Sequence, residues 1–600
     1  MKNRRFFLNG MFVIAVTGTL TSCIDNSYDM SKDIDMTVGV GAQGLKLNIG
    51  NSEKIWLSDV LEVDEEEMLE ETQAGLFYLV KSDNADFKFD VPSFKATVDV
   101  ASLAPELPML TFEDLASGAN LTEYPLAKDW KTPATPLSVA STELLSISDL
   151  PKEIQSLKRI IPKKESKDVS VTLEIVSNTP SQNFVVESFE GVQINLPKFF
   201  KLRKEDGTII ENNVISIDDA TINAKKFNLA NFTIDALEFE GENGVDLSND
   251  KSRDIEGDYS VSGNFVFKAA DKFTLKAGDE TTLRVTIRVG TASSSESVDI
   301  SFAQVVGVFN PEINPNISPI NIANDVPDFL TDPEVCIMAS NPTFRLDVNL
   351  QDVPTNLTMW GNLYAEKDGK VIADVRIPGE VDNTVELTGL QNSVIYFSGE
   401  EQPFDPNGVV EGAPIYTVAN LGDVVKTIPD VIRVDMEGEK IKLTEELTTI
   451  SLGETYEASL DYDVYVPFMF NRGMKIVYEE IVKDLGDDLE DLAAEGAKIT
   501  ATIENKVPLA LELTAVLLDK NGDEIPGVEV SSVSVPALSE NTVNISVKFD
   551  NPYDLQKLDQ LSLKVKATTE GDNVTLTSEQ FLQLKDLTFE LLGQIIVDLN

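Results

Sequence analysis

Alternation of apolar and polar residues recurs along the whole length of this chain. Val169-Ser-Val-Thr-Leu-Glu-Ile175 sets four apolar side chains on one face and three polar ones on the other. Leu283-Arg-Val-Thr-Ile-Arg-Val289, Val543-Asn-Ile-Ser-Val-Lys-Phe549 and Leu561-Ser-Leu-Lys-Val-Lys-Ala567 do the same. Successive side chains of a strand point to opposite faces, so such runs fit strands with one buried and one wet face, as in antiparallel sandwiches. Asp206-Gly207, Asp368-Gly369 and Asn521-Gly522 separate runs of this kind, and those dipeptides suit tight hairpins. The expected fold is all-β: tandem antiparallel β-sandwich (immunoglobulin-like) domains with a few short helices.

Two segments break the alternation. From Asp484 to Glu495, Leu485, Leu489, Leu492 and Ala493 share a stripe of helical spacing, and Gly496 is placed to close it. Pro151 suits a first helical position, with Ile154, Leu157 and Ile160 expected to face inward behind it. Asp149-Leu150-Pro151, Asp325-Val326-Pro327 and Asp484-Leu485-Gly486 each lead through a short helix and a strand to an Asn/Pro break. The breaks are Asn178-Thr179-Pro180, Asn341-Pro342 and Asn505-Lys506-Val507-Pro508, and each precedes one of the glycine turns. The near-equal spacing of these asparagines predicts three related sandwiches.

The division that follows is 1–22 signal peptide, 23–36 acidic tether and 37–138 N-terminal β domain. Then come 139–318 as sandwich repeat 1, 319–470 as repeat 2, and 471–600 as a C-terminal helix plus repeat 3. Thr132–Pro136, Asn310–Pro319 and Gln402–Pro414 are the proline-bearing candidate linkers, the last also readable as a loop inside a domain.

The N-terminus has another character. Lys2, Arg4 and Arg5 precede a mostly apolar run from Phe6 to Leu20, then Thr21, Ser22 and Cys23. A charged start, a short apolar core and small residues before a cut site make a secretory signal. The run, broken by Asn9 and Gly10, is too short to span about 30 Å of hydrocarbon. Leu20-Thr21-Ser22-Cys23 resembles the lipobox of bacterial lipoproteins, which implies acylation of Cys23 as the first residue of the mature chain. Asp25, Asp29, Asp33 and Asp35 behind it are similar to acidic signals for display on the outer face of the outer membrane.

Removing residues 1–22 takes away three basic groups and no acids, lowering the formal charge from −52 to −55 and leaving 578 residues (600 less 22). That length calls for several cores. Such acidity repels phosphate backbones, so nucleic acid is excluded as a partner, and its simplest role is solubility. With only Cys23 and Cys336 there is no disulfide framework, and Cys336, in Val335-Cys336-Ile337-Met338, is expected to be a buried, inert thiol.

The chain has no histidine, which removes Ser-His-Asp chemistry and most zinc sites. No Gly-rich phosphate loop, G-x-S-x-G or CxxC stands in the sequence. A glycosidase using two carboxylates is the one enzyme class compatible with this composition, and no residue pair points to it. The expectation is no enzyme, no catalytic residue, no cofactor and no metal. Asp519, Asn521 and Asp523 superficially fit a calcium loop, but they lack its spaced ligands and read better as a hairpin turn. The acidic run Asp64–Glu67 with Glu70 and Glu71 reads as a solvated helix face or loop. Of the three tryptophans, Trp56 and Trp360 are expected in the core, and Trp130 is the best candidate for an exposed glycan contact.

Lipobox, acidic tether and tandem alternating strands together resemble the multidomain β-sandwich surface lipoproteins of Gram-negative anaerobes. The resemblance implies outer-membrane display through the lipid anchor and no defined reaction. The expected function is a non-catalytic structural or interaction module in a cell-envelope assembly, with an envelope protein or glycan as partner. The alternatives are a glycan-binding component of a nutrient-capture system and a carboxylate glycosidase.

Overall fold

The computed structural model describes residues 38–597 apart from 41–44, 62–67, 99–105, 117–120, 148–149, 250–252, 290–297, 312, 314, 316, 323–325, 327, 484–491 and 594. The signal peptide, Cys23, the tether, residues 64–67 and most of the expected 484–495 helix lie outside the described residues. Strand makes up 58% and helix 6%, so the all-β reading holds. Burial follows the alternation: in Asp168–Ser177, Val169, Val171, Leu173 and Ile175 are buried and the residues between them are not.

Three sandwiches form. In the first, Val298–Phe309 belongs to both sheets, pairing through residues 298–301 with Lys95–Val98 and through 302–309 with Ile154–Pro162. Phe189 and Phe227, one from each sheet, stack between them with centroids 5.9 Å apart. The second sets Gly361–Lys367, Lys370–Ile377 and Val431–Asp435 against Thr343–Asn349, Asn392–Ser398 and Glu454–Pro467. In the third, Gly496–Asn505, Glu540–Phe549 and Phe581–Leu592 face Lys475–Val482, Ala510–Leu518 and Gln560–Thr568.

Residues 37–138 are not a domain of their own. Their strands are shared out among the three sandwiches, in reverse order. Val38–Val40 pairs with Ile595–Val597, and Leu45–Gly50 with Phe581–Leu592, in the third. Phe77–Val91 pairs with Glu454–Pro467 in the second. Lys95–Val98, Glu106–Thr111 and Glu123–Leu126 join the first, followed by Thr135–Ile147. A strand needs neighbours on a sheet with a buried face, and the larger sheets supply them. The proline-bearing stretches are not free linkers either. Thr132 is buried with its hydroxyl accepting the Phe267 N–H, Ile313 is buried, and residues 399–414 fold back over the second sandwich.

One expected helix is a strand, and the described end of the other is strand as well. Ile154–Pro162 is a strand, yet Ile154, Leu157 and Ile160 are indeed buried. Register shifts against Val298–Phe309 lie between Ile154 and Ser156 and between Leu157 and Arg159. Each bulge adds a residue to one side of the ladder, so a spacing of three lands on one face of a strand and imitates a helix. At the other site Leu492–Ala493 is a strand and Gly496 opens the strand Gly496–Asn505 rather than capping a helix. Among the described residues the helices are short, chiefly Leu57–Leu61, Phe112–Ala116 and single 3-10 turns such as Asp328–Thr331.

The three asparagines of the breaks share a task. Asn178 donates to the Gly278 carbonyl at 3.0 Å and accepts the Glu280 N–H at 3.1 Å. Asn341 donates to the Gln402 carbonyl at 2.7 Å and accepts the Glu400 N–H at 3.3 Å. Asn505, fully buried, donates to Leu509 and Pro536 carbonyls at 3.0 and 2.9 Å and accepts the Val507 N–H at 2.9 Å. Where two β segments part, backbone groups lose their ladder partners, and one side-chain amide replaces them. Asn505→Ala strands three such groups away from water and should cost about 3 kcal/mol. Asn178→Ala, half-exposed, should cost under about 1 kcal/mol because water substitutes. Denaturant unfolding of the two variants checks this, and equal losses would refute it.

Candidate functional site

The residues singled out from the sequence are not brought together. Cys23 lies outside the described residues. Trp130 is half-buried, its ring edge-on to Phe184 at 6.5 Å, and its backbone is bonded to Ala127 and Ala269. It packs in the connection between Glu123–Leu126 and Thr135–Ile147 of the first sandwich instead of displaying a bare platform. Trp56 and Trp360 are not core residues: both are half-buried with cations over their rings. Lys54 sits 5.1 Å from the Trp56 ring, and the Arg376 guanidinium lies 3.8 Å from the Trp360 ring centre. A cation on the ring face gains from the quadrupole and shields apolar surface, which lets a tryptophan stay at a sheet surface.

Asp519–Glu524 is a hairpin turn. The Asp519 carboxylate accepts backbone N–H groups from Asn521 at 2.8 Å and Asp523 at 3.1 Å. Those bonds hold its carboxyl below the ordinary aspartate range, and Gly522 takes the positive φ of 85° that closes the turn. Among the described residues no cluster of three or more acidic or thiol side chains is placed to hold a metal ion. Cys336 is half-buried, facing outward between buried Val335 and Ile337, with its backbone paired to Lys475.

The densest chemistry lies elsewhere, on the outer face of the second sandwich. Thr343, Arg345 and Asp347 project from one side of Thr343–Asn349, and the segment 399–414 lies over them. Phe404 N–H donates to Thr343 Oγ1 at 2.9 Å. Arg345 grips Asp347 through Nε and Nη2 at 3.1 and 2.9 Å, and reaches Asp405 Oδ2 through Nη1 at 3.3 Å. Tyr396 donates to the same Oδ2 at 2.7 Å, and Asn407 N–H donates to Oδ1 at 2.9 Å. Phe404 packs against Tyr78 and Tyr465, centroids 5.4 and 6.3 Å away.

Burial, then the bond to Asp405, pushes the Tyr396 hydroxyl above its usual value, so it stays a donor. Burial opposes the Arg345 charge, but the Asp347 fork outweighs it and raises the guanidinium still further. The Asp405 side chain has no exposed surface, so this cluster fastens a loop and offers no acid to a substrate. Nothing local in the sequence marks it, since Asp405 meets Arg345 only once the loop folds back.

A cavity of about 30 Å³ inside the same sandwich is lined by Phe344, Leu363, Leu421, Val424, Ile432 and Val464. It is an apolar packing void with room for about one water. Where the second and third sandwiches meet, Glu334 takes Lys564 and Lys475 at 2.7 and 3.1 Å. Hydrogen bonds from those two ammonium groups bring the Glu334 carboxyl down to about 2.

No protein-family model matches the chain, and no curated protein does. Among solved structures, a protein from Parabacteroides distasonis proposed to be secreted aligns at 15% identity over 48% of this chain and 90% of its own, with a TM-score of 0.33. An infectious bursal disease virus structure (Gx strain) aligns at 9% identity over 89% and 82%, with a TM-score of 0.12. At those scores neither likeness carries an argument, and the fold rests on its own strands.

Two outcomes are expected. Arg345→Met leaves the Asp405 carboxylate buried without its cation, which should cost about 3–5 kcal/mol. The added substitution Asp405→Asn should return part of it, and limited proteolysis should cut within 399–414 faster in the single variant. For Glu334, a folded pKa held below the unfolded one stabilises at pH above about 4.5 and loses that contribution as pH falls towards about 2. Glu334→Gln should therefore be less stable than the parent chain at pH 7 and equal to it near pH 2. A gap that persists or widens in acid would exclude this ion triad as a source of stability.

Proposed function

We propose that this chain is a lipid-anchored, non-catalytic surface protein that serves as a structural or interaction module in a cell-envelope assembly. The observation that carries the reading is Leu20-Thr21-Ser22-Cys23 behind a short apolar run. The architecture is in keeping with it. A scaffold needs modules that do not swing freely, and here one N-terminal stretch lends strands to all three sandwiches. Further ties join neighbours: Thr448–Ser451 pairs with residues 304–307, and Met469–Phe470 with Val574–Thr575. The buried Arg345–Asp405 pair stiffens a loop and is closed to ligands. A glycan platform would ask for bare aromatic faces, whereas each tryptophan is engaged by a neighbouring side chain, which favours the interaction module.

The test is acylation and address together. Cys23→Ala should abolish labelling by a fatty-acid analogue and release the protein from membranes, while protease added to intact cells should digest the parent chain. Equal labelling of both forms would remove the anchor, and full protection in intact cells would remove surface display.

A further inference from the structure

The strands of the third sandwich run between two poles. At one pole, Leu576 N–H donates to the Phe468 carbonyl at 2.9 Å and Phe77 N–H to the Leu576 carbonyl at 3.4 Å, tying this end to the second sandwich. Lys475, paired with both Thr568 and Cys336, lies at the same pole. At the opposite, free pole, Leu45 pairs with Leu591, Gly496 with Lys548, Val528 with Phe549, and Leu518 with Glu524. The N-terminal segment thus enters the fold at the one end of the third sandwich that points away from the rest of the protein.

The free pole is finished as an end. The turn Asp519–Glu524 and the 3-10 helix Pro552–Lys557 close it, and Tyr553 is 50% exposed there. Beneath them Leu517, Ile525, Phe549, Leu555 and Leu558 form a hydrophobic cluster separate from the main core, so this end has its own support. Fourteen residues lie between Cys23 and Val38, and the fifteen Cα–Cα steps reach at most about 50 Å when fully extended.

We infer that the free pole of the third sandwich is the surface that meets the lipid bilayer, and that the three sandwiches stand out from it in the order third, second, first. The inference rests on anchoring at Cys23, the reading proposed above. The pole carries Asp519, Asp523, Glu524, Asp550, Asp554 and Asp559 against Lys520, Lys548 and Lys557, so anionic headgroups do not attract it. Attachment at the N-terminus favours the proximity, and Tyr553 supplies an amphipathic ring suited to the headgroup layer. The first sandwich, with the Asn178 break and Lys225 at its strand ends, becomes the part presented to partners.

The chain from Ile24 onward, with a hexahistidine tag in place of residues 1–23 and Cys336→Ser, can be held on vesicles containing a nickel-chelating lipid. Single cysteines at the exposed positions Lys520→Cys and Lys225→Cys carry a fluorophore, and a headgroup-attached quencher reads proximity on vesicles shown by flotation to bear the protein. Quenching of more than half at position 520 and less than a tenth at 225 is expected. Equal quenching, no quenching at either, or stronger quenching at 225 overturns the orientation. Because the tag replaces the acyl chain, loss of the Cys23 reading in cells would leave this result standing, and the reverse holds too.

Discussion

Fourteen consecutive backbone pairs join Phe77–Val91 to Glu454–Pro467, and the layout of the molecule hangs on that ladder. It fixes the middle of the N-terminal stretch within the second sandwich. Residues before it then reach the third, and residues after it reach the first. Side chains reinforce the register: Phe89 stacks on Tyr456 with centroids 5.3 Å apart, and Thr455 bonds Asp90 at 2.5 Å. Antiparallel ladders specify register through which face is buried, and Ala85, Phe87, Phe89 and Val91 all face inward here. A slip by one residue would turn all four into solvent.

Most of the strands were legible because a wet face and a dry face leave a period of two in the sequence. The glycine turns were legible for a similar reason. Asp368 and Gly369 take φ values of 50° and 70°, a conformation few other pairs adopt without strain. What misled was local deviation from that period. The bulges around Ser156 and Lys158 shifted Ile154, Leu157 and Ile160 onto a spacing that a helix also produces. Membership of a sheet was not legible at all, since pairing between Leu45 and Leu591 leaves no mark on either residue. The Arg345–Asp405 pair was hidden for the same reason, inside a proline-bearing segment that reads equally as a linker. The break asparagines stood out by spacing, but their role as substitutes for missing ladder bonds needed coordinates.

The acidity has a structural side as well as a solvation side. Asp206, Asp246, Asp332, Asp405, Asp435 and Asp519 each accept the N–H of the residue two positions on. A short carboxylate side chain can stand in for a backbone carbonyl in a turn, so a protein with many strand ends has many uses for aspartate. In these six aspartates the charge accompanies turn-making, with the carboxylates already occupied by backbone donors.

The N-terminal stretch also sets the order in which the protein can be completed. During synthesis the strand Leu45–Gly50 emerges first, yet its partner Phe581–Leu592 arrives last. Contacts of such sequence separation carry a large closure entropy and form slowly. Until the final residues emerge, three N-terminal strands wait with open edges, which are templates for pairing with other chains. Such a chain gains from helper proteins that shield edges until the last strands are made. Because Val38–Val40 lies beside Ile595–Val597 in the finished fold, the two ends could be joined and the chain opened elsewhere, giving a permuted protein that closes its sandwiches in a different order.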